Sequence, residues 1–450
     1  MKIQKLRLGE ICEVVKGNIG ISKAVQGCYP LVTTGQNRLS HNEYQFDCEA
    51  ICVPLISSTG HGSATLNYVH YQEGKFALGN ILCACIPKDK KKVSPKYLHW
   101  YLSALKDALF IPLMTGTANV SMSVEKVKTV EVIFPPLDVQ NQIVERLNEL
   151  STLHTQANAT LARLQADVKR LRQSILQQAI QGKLVDNTLP PGEKTGAELL
   201  ADIRAEKERR AREQGKKPDK PLPPVTEAEM PFELPEGWVW CRLGEILVDL
   251  KYGTSKPCNY DSSQNAKVLR IPNVVTGVMN DDDLKFTDLT ATEILDLSLA
   301  EDDLLVIRSN GSRELVGKMA RASAKFVGFC FAGYLIRLRL FSSKINPAFV
   351  NLVFESTMLR KQIEGPLRTT VGVNNINSTE LSNLIIPLPA LSIQNLILKC
   401  VNQQFNQSQN FSVGLEKVDV RLSSLWQSEM QQIFKFEMLR KANGNRVVFV

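Results

Sequence analysis

The chain has 450 residues, of which 44% are hydrophobic, and this length and composition predict more than one packed domain. Its formal net charge of +8 suits a polyanionic partner, although charge alone does not identify that partner as nucleic acid. Residues 1–8 include no apolar segment, no run approaches the roughly 18 apolar residues that span a bilayer, and the ten cysteines follow no spacing pattern, so we expect a cytoplasmic protein with reduced thiols rather than a secreted or membrane protein.

Residues 1–137 are predicted to form a first α+β domain. Short runs such as 50–56 and 130–134 have the length and the β-branched composition of strands. Ser94 followed by Pro95 has the residue types of a helix N-cap and first helical position.

Three polar segments of this first domain carry side chains suited to reading DNA bases. Arginine matches the edge of guanine, asparagine and glutamine match adenine, and serine and threonine adapt to either. The same residue types are common in ordinary turns, so a purely structural role is the alternative. The candidates are Thr33, Gln36, Asn37, Arg38, Ser58, Thr59, His61, Thr117, Asn119 and Ser121.

Residues 138–182 are predicted to form one long helix. Pro136 prevents its extension backward, Asp138 suits the N-cap, and Gly182 suits the C-terminal stop. Apolar and small residues recur at alternating steps of four and three, which is a heptad repeat. This seam consists of Ile143, Leu147, Leu150, His154, Ala157, Leu161, Leu164, Val168, Leu171 and Ile175.

Residues 183–236 are predicted to be a linker. Proline-rich stretches at 189–193 and 221–224 flank mixed charges between 204 and 220. This pattern predicts one short, solvated helix with semi-rigid ends. Its cations could contact DNA phosphates, and a simple solvated face is the alternative.

Residues 237–390 repeat the organisation of the first domain. The sequence Arg-Leu-Gly-Glu-Ile at 7–11 recurs at 242–246, and 346–350 resembles 94–98. We therefore predict a second α+β domain with equivalent base-reading candidates. These are Arg270, Asn273, Arg308, Asn310, Ser312, Arg313, Arg368, Thr369, Asn374 and Asn375.

Residues 391–442 are predicted to form a second long helix that repeats the first at a constant offset of 254 residues. A helix cannot absorb an insertion without shifting its apolar face, whereas loops can. We expect the two helices to pack as an antiparallel coiled coil that relates the domains by a pseudo-twofold axis. Packing of each helix on its own domain, or dimerisation, is the alternative. The second seam consists of Ile397, Val401, Phe411, Leu415, Val418, Leu422 and Leu425.

The sequence contains none of the common catalytic motifs, such as a phosphate-binding loop or a nucleophile elbow. Residues 346–349, Asn-Pro-Ala-Phe, depart at Ala348 from the Asn-Pro-Pro-aromatic tetrapeptide of amino-methyltransferases. A zinc site is disfavoured because the candidate ligands lack paired C-x-x-C spacing, so we expect no metal and no catalytic residue. Those candidate ligands are Cys48, Cys52, His61, Cys83 and Cys85.

Several segments, in a fixed order, carry a family likeness. They are the Leu-Gly-Glu-Ile sequences at 8–11 and 243–246, the proline-containing helix entries at 133–137 and 386–391, the helix end at 171–184, and the domain entry at 234–238. With these duplicated segments the chain resembles the specificity (S) subunits of type I restriction-modification enzymes. It departs from them where the family's helices commonly begin Pro-Leu-x-Glu-Gln, because Val139 and Ile393 replace that glutamate.

The resemblance implies two target recognition domains, each reading one half of a bipartite, asymmetric site in double-stranded DNA. It implies a non-catalytic subunit that works with two methyltransferase subunits and two restriction subunits. Those partners would carry S-adenosylmethionine, ATP and magnesium and would methylate adenine at N6. The helices would fix the gap between half-sites and would dock the methyltransferase subunits through repeated glutamines. These glutamines are Gln140, Gln173, Gln177, Gln394, Gln427 and Gln431.

Two other functions are compatible with the same pattern. One is the specificity subunit of another two-subunit restriction-modification type. The other is a coiled-coil scaffold whose two domains bind proteins, which would lack the strong salt dependence of a DNA-binding protein.

Overall fold

A computed structural model describes residues 4–57, 65–116, 120–215, 220–365, 368–370 and 373–439, without the side chains of 368–370, 373, 431 and 435–439. The chain divides into two compact units, one made of Met1–Arg163 with Gly414–Val450 and the other of Leu164–Val413. Each unit contains mixed strands and helices together with a segment of each of two long helices. The predicted α+β class, with two domains and long helices, is confirmed.

Within its described residues, the domain of the first unit has ten strands and four short α-helices before the first long helix. Its strands are β1 Gln4–Arg7, β2 Cys12–Lys16, β3 Tyr29–Val32, β4 Leu39–His41, β5 Phe46–Asp47, β6 Ala50–Pro54, β7 His70–Gln72, β8 Lys75–Leu78, β9 Leu82–Pro87 and β10 Glu131–Phe134. Its helices are α1 Leu8–Ile11, α2 Pro95–Ala104, α3 Lys106–Phe110, α4 Val124–Lys128 and the long α5 Leu137–Ile180. The sheets have the strand orders β2-β9-β6-β7, β4-β3-β8-β5 and β1-β10.

Strand β6 explains why the run 50–56 is continuously apolar instead of alternating. Its residues Ile51 and Val53 pack in one core cluster, and Ala50 and Cys52 pack in another on the opposite face. A strand that is covered on both faces needs apolar side chains at every position. Cys52 is therefore a core residue, and burial raises the pKa of its thiol.

The second unit repeats this plan. Its strands are β11 Val239–Arg242, β12 Leu247–Tyr252, β13 Ala266–Leu269, β14 Lys285–Thr287, β15 Leu304–Ile307, β16 Ser309–Asn310, β17 Met319–Arg321, β18 Cys330–Phe331, β19 Leu335–Leu340, β20 Arg368–Thr370, β21 Val373–Asn375 and β22 Ile385–Leu388. Its helices are α6 Gly196–Glu213, α7 Ala291–Leu297, α8 Pro347–Phe354, α9 Thr357–Glu364, α10 Ser378–Asn383 and the long α11 Leu391–Leu439. The sheets have the strand orders β12-β19-β15-β17, β14-β13-β18, β11-β22 and β16-β21-β20.

A buried glutamine joins the first domain to helix α5. The side-chain oxygen of Gln140 accepts a hydrogen bond from the backbone N–H of Ser94 at 2.8 Å. Its side-chain nitrogen donates to the carbonyl oxygens of Lys92 and Pro135 at 2.9 and 2.8 Å. The side chain is fully buried, so these bonds fix the start of α5 against the loop that precedes α2.

Gln394 makes the same junction in the second unit. It accepts from the backbone N–H of Asn346 at 2.8 Å and donates to the carbonyl oxygen of Pro389 at 3.0 Å, and it too is fully buried. The prediction that Gln140 and Gln394 dock a partner subunit is therefore wrong. Their amides are repeated because they attach each helix to its own domain, and burial hides them from a partner.

The linker prediction is wrong in one respect, because helix α6 is not solvated all round. Leu199, Leu200 and Ile203 are buried in the main core of the second unit. The opposite face carries the predicted charges, including an exposed Arg209 paired with Glu206 at 2.7 Å. An amphipathic helix with this pattern packs on a domain, which a free linker does not.

The long helices run antiparallel in each unit. In the first unit, Val139 and Ile143 near the start of α5 share a core cluster with Met430 and Phe434 near the end of α11. In the second unit, the end of α5, at Ile175–Ile180, packs with the start of α11 at Ile393–Val401. None of the described helices has the length and apolar composition to cross a membrane.

The predicted helix seam is wrong at four of its positions. Leu171 is 51% exposed, and on α11 Phe411, Val418 and Leu425 are 50–53% exposed. On α11 the residue three positions before each of these three is less exposed. Ser408 and Leu415, for example, are buried. The covered stripe here is narrower than a full heptad seam, and it includes a serine in place of an apolar residue.

Candidate nucleic-acid interface

Two of the predicted base-reading segments of the second domain meet in one small sheet. Strand β21 pairs with β16, with Asn374 opposite Asn310, and it also pairs with β20, with Asn375 opposite Arg368. Segments 308–313 and 368–375 are distant in sequence, so only the fold brings these polar residues together.

Arg308 and the two asparagines are held in place by specific contacts. The guanidinium of Arg308 lies over the ring of Tyr252, 4.7 Å from its centroid, and donates to the side-chain oxygen of Asn375 at 3.3 Å. Asn374 is 8% exposed, and its side-chain nitrogen donates to the carbonyl oxygen of Gly311 at 3.1 Å. The prediction that Asn374 contacts a base is therefore wrong, because its buried amide holds the sheet to the turn after β16. Arg308 and Asn375 remain partly accessible. The side chains of Arg368 and Thr369 lie outside the described part of the structure.

The turn after β16 presents a cation to solvent. Asn310 accepts a hydrogen bond from the backbone N–H of Ser312 at 2.8 Å, which is ordinary turn chemistry. Ser312 and Arg313 are exposed, and Arg313 donates to the carbonyl oxygen of Glu364 at 2.5 Å. Arg360 braces this turn by donating to the carbonyl oxygen of Val316 at 2.5 Å.

The first domain brings its equivalent segments together in the same way. Ser121 forms isolated bridges with Ile56 and with Thr115, and the backbone N–H of Ser57 donates to the carbonyl oxygen of Val120 at 2.8 Å. Ser58, Thr59, His61, Thr117 and Asn119 lie outside the described residues. The described residues beside them nevertheless connect the two predicted segments, through Ile56 with Ser121 and Ser57 with Val120.

The segment 33–38 does not form a uniformly accessible reading loop. Thr33 is only 6% exposed, and the guanidinium of Arg38 is held by the side chains of Gln72 and His70 and by the carbonyl oxygen of Tyr71, at 2.9, 2.9 and 3.1 Å. The prediction that Thr33 and Arg38 contact bases is corrected, because burial and internal hydrogen bonds occupy them. Gln36 and Asn37, from the same segment, are exposed.

The burial of His70, beside Arg38, makes the stability of the first domain depend on pH. Burial, with the nearby charge of Arg38, lowers the pKa of His70 to about 4, against about 6.5 for an unfolded histidine. The unfolded chain therefore binds more protons between pH 6.5 and 4, and stability falls as the pH is lowered through this window. Going from pH 7 to pH 5, we expect His70 to account for a loss of about 2 kcal/mol.

Urea unfolding of the full chain at pH 7 and pH 5 measures this loss. Glutamine in His70→Gln still accepts a hydrogen bond from Arg38 but does not titrate. The free energy of unfolding of this variant should therefore fall by about 2 kcal/mol less between pH 7 and pH 5 than that of the original chain. Equal losses in the two proteins would show that His70 is not the titrating group.

Arg270 and Asn273 also have structural roles. Asn273 is fully buried; it accepts from the backbone N–H of Arg270 at 2.8 Å and donates to the carbonyl oxygen of Asp282 at 2.7 Å. Arg270 forms an ion pair with Asp283 at 2.5 Å. The prediction that Asn273 reads a base is wrong, because its amide closes the turn that carries the acidic run 281–283.

The remaining helix glutamines differ in their surroundings. Gln173 and Gln427 are exposed, and Gln177 accepts a hydrogen bond from the hydroxyl of Thr357 at 3.3 Å. The side chain of Gln431 lies outside the described residues. Gln173 and Gln427 keep their side chains available to a partner.

Tyr252 and Arg360 belong to the candidate interface, although neither was predicted from the sequence. Tyr252 ends strand β12 and supports Arg308, and Arg360 lies on α9 and supports the turn at Arg313. Neither residue lies in a polar loop, so nothing in the sequence separates them from other strand and helix residues. Together, the described segments offer amide acceptors, hydroxyls and exposed cations, which is the chemistry of base and phosphate contacts.

Comparison with known proteins identifies the same duplicated organisation. The family model of the type I restriction modification DNA specificity domain matches residues 2–163 and 235–411. The EcoEI type I restriction enzyme specificity subunit of Escherichia coli is 29% identical over 288 residues, which cover 60% of this chain and 48% of that protein. The StySPI specificity subunit of Salmonella potsdam is 26% identical over 357 residues, covering 78% and 67%. The match to the EcoEI subunit thus spans about half of that relative's length.

A solved structure shares the fold. It is a chain from work on the complex assembly and conformational transition of the type I R-M system, with a TM-score of 0.62 and 17% identity, covering 96% of this chain and 97% of that chain. At this identity the likeness concerns the fold alone.

Proposed function

The chain belongs to the family of type I restriction modification DNA specificity domains, and from this membership we propose that it is the DNA-recognition subunit of a type I restriction-modification complex. The observation that carries the proposal is the joining of two polar segments in both domains: β16 pairs with β21 in one, and in the other Ile56 bridges to Ser121 while Ser57 donates to the carbonyl oxygen of Val120. In the second domain the pairing gathers side chains that suit DNA contact, and in the first it joins described residues that flank the equivalent candidates.

Two similar interfaces on one chain favour a bipartite DNA site. Each domain reads one half, and because the domains differ in sequence, the two half-sites differ. The long helices have 44 and 49 residues, and at 1.5 Å per residue α5 is about 66 Å long. Rigid elements of this length set the distance between half-sites, as dimer geometry does in other DNA-binding proteins.

The catalytic steps belong to partner subunits in this proposal. Two methyltransferase subunits carry S-adenosylmethionine and modify adenine at N6 after flipping it from the duplex, and two restriction subunits use ATP and magnesium. This chain holds none of these cofactors and acts in the cytoplasm. Its contribution is sequence recognition, with Gln173 and Gln427 on the long helices available to the methyltransferase subunits.

Selection of binding sites from a random pool of double-stranded DNA tests the proposal. The chain with its methyltransferase partners should enrich two different short half-sites separated by one fixed gap. Enrichment of a single contiguous sequence, or of none, contradicts it.

Arg313→Ala is expected to weaken DNA binding about fivefold to tenfold at low salt, because it removes an exposed cation from the turn after β16. The slope of log K against log salt concentration should fall by about one. Arg209→Ala removes an exposed arginine on α6, outside the segments of the proposed interface, and should leave both quantities unchanged. Equal effects of the two substitutions would show that DNA does not contact the turn after β16.

A further inference from the structure

The second unit contains an open cavity of about 440 Å³ where the recognition domain meets the long helices. Its lining includes Met279 from a domain loop, Leu352 from α8, Arg172 from α5, and Asn402 and Phe405 from α11. None of the described residues that line it belongs to the small sheet formed by β16, β21 and β20.

The equivalent place in the first unit is occupied by the chain itself. The rings of Trp100 on α2 and Trp426 on α11 meet there, with centroids 6.2 Å apart. The indole N–H of Trp100 donates to the side-chain oxygen of Asn148 at 3.2 Å. The ring of His154 stacks on that of Trp426, with centroids 4.7 Å apart. Two indoles therefore fill the junction between domain and helices in this unit.

The repeat replaces both indoles in the second unit. The counterparts of Trp100, Trp426 and Asn148 are, in that order, Leu352, Arg172 and Asn402. All three counterparts line the cavity. The cavity is thus the site where the second unit lacks the rings that the first unit supplies.

The polar groups around the cavity suit an indole. Arg172 lines it and lies 4.1 Å from the centroid of the Phe405 ring, and a guanidinium and an aromatic ring both attract a further aromatic ring. Asn402 keeps the amide that accepts the indole N–H in the first unit. The side-chain oxygen of Asn351, which also lines the cavity, is buried and has no hydrogen-bond partner among the described residues.

We propose that this cavity binds a tryptophan side chain of a partner protein, whose indole takes the place that Trp100 fills in the first unit. A side chain from another protein can enter because the cavity is open and its lining includes Val278, which is 73% exposed. A buried aromatic anchor in a pocket, surrounded by contacts that exclude water, often carries much of the binding energy of a protein–protein interface. The proposal is independent of DNA recognition.

N-acetyltryptophanamide titrated into the full chain, with binding followed by saturation-transfer NMR, tests this inference. We expect saturable binding, at least fivefold weaker for the 1-methyltryptophan analogue, which has no N–H to donate. Leu352→Trp should abolish binding, because its indole fills the cavity as Trp100 does in the first unit. Leu396→Trp, at a 42% exposed position of α11 outside the cavity lining, should bind the probe as the original chain does.

A further variant keeps the test decisive if Leu352→Trp does not fold. In Asn351→Leu with Asn402→Leu, both amide acceptors are absent and the Glu355 carboxylate remains in the lining, so the preference for the probe with an N–H should fall below fivefold. The inference is overturned if the original chain binds neither probe, if it binds both equally, or if a folded Leu352→Trp protein retains binding. DNA binding is measured in parallel with and without the probe, and it should not change, so failure here leaves the proposed function intact.

Discussion

Phe434→Ala is expected to lower the free energy of unfolding by about 3–5 kcal/mol. Phe434 on α11 is fully buried, and its ring meets those of Tyr97 and Tyr101 edge-on, with centroids 6.0 and 5.3 Å away. Removing the ring leaves a cavity between the end of α11 and helix α2, and a rigid core relaxes only in part to fill such a space. Urea unfolding followed by circular dichroism measures the loss.

Val420→Ala is the matched control on the same helix. Val420 is 72% exposed, so its truncation should change stability by less than about 0.5 kcal/mol. A small effect of Phe434→Ala, close to that of the control, would mean that the end of α11 does not contribute to the core of the first domain.

Gln140→Ala should cost about 3 kcal/mol in the free energy of unfolding. The substitution leaves the backbone N–H of Ser94 and the carbonyl oxygens of Lys92 and Pro135 without the hydrogen bonds that Gln140 makes. Each buried polar group left unpaired costs about 1–3 kcal/mol, and partial access of water reduces the sum. The same unfolding experiment measures it.

Gln142→Ala supplies the comparison for Gln140→Ala, since Gln142 is exposed two residues further along α5. Its stability should stay within about 0.5 kcal/mol of the original chain. If Gln140→Ala is equally mild, then Gln140 does not fix the helix to the domain, and its role in partner docking would have to be reconsidered.

The long helices could be predicted from the sequence because a heptad pattern is a property of neighbouring residues along one helix. Which apolar residues are covered depends on other elements. Phe411 and Val418 continue the pattern but are exposed, while the polar Ser408 is buried. Periodicity identifies an apolar stripe, and it does not specify how much of that stripe the neighbouring helix covers.

The candidate interface could be predicted only as a set of residue types. Asn273 and Asn375 have the same side chain, yet the first is buried in a turn and the second is partly accessible beside Arg308. Gln140 looked like a docking residue because it recurs in both halves, and the structure assigns that recurrence to a buried junction. Repetition indicates an equivalent role in both halves, but it does not distinguish a structural role from a functional one.

Mapping methylated adenines at single-base resolution shows whether this chain determines the methylation motif. The chain is co-expressed with its methyltransferase partner, and methylation is compared with that of cells in which this chain is deleted. If the chain recognises two half-sites, a bipartite motif with one fixed gap appears only when the chain is present. Exchange of residues 1–137 for those of a relative should then change one half of the motif alone. A methylation motif that persists unaltered without the chain would show that another protein determines it.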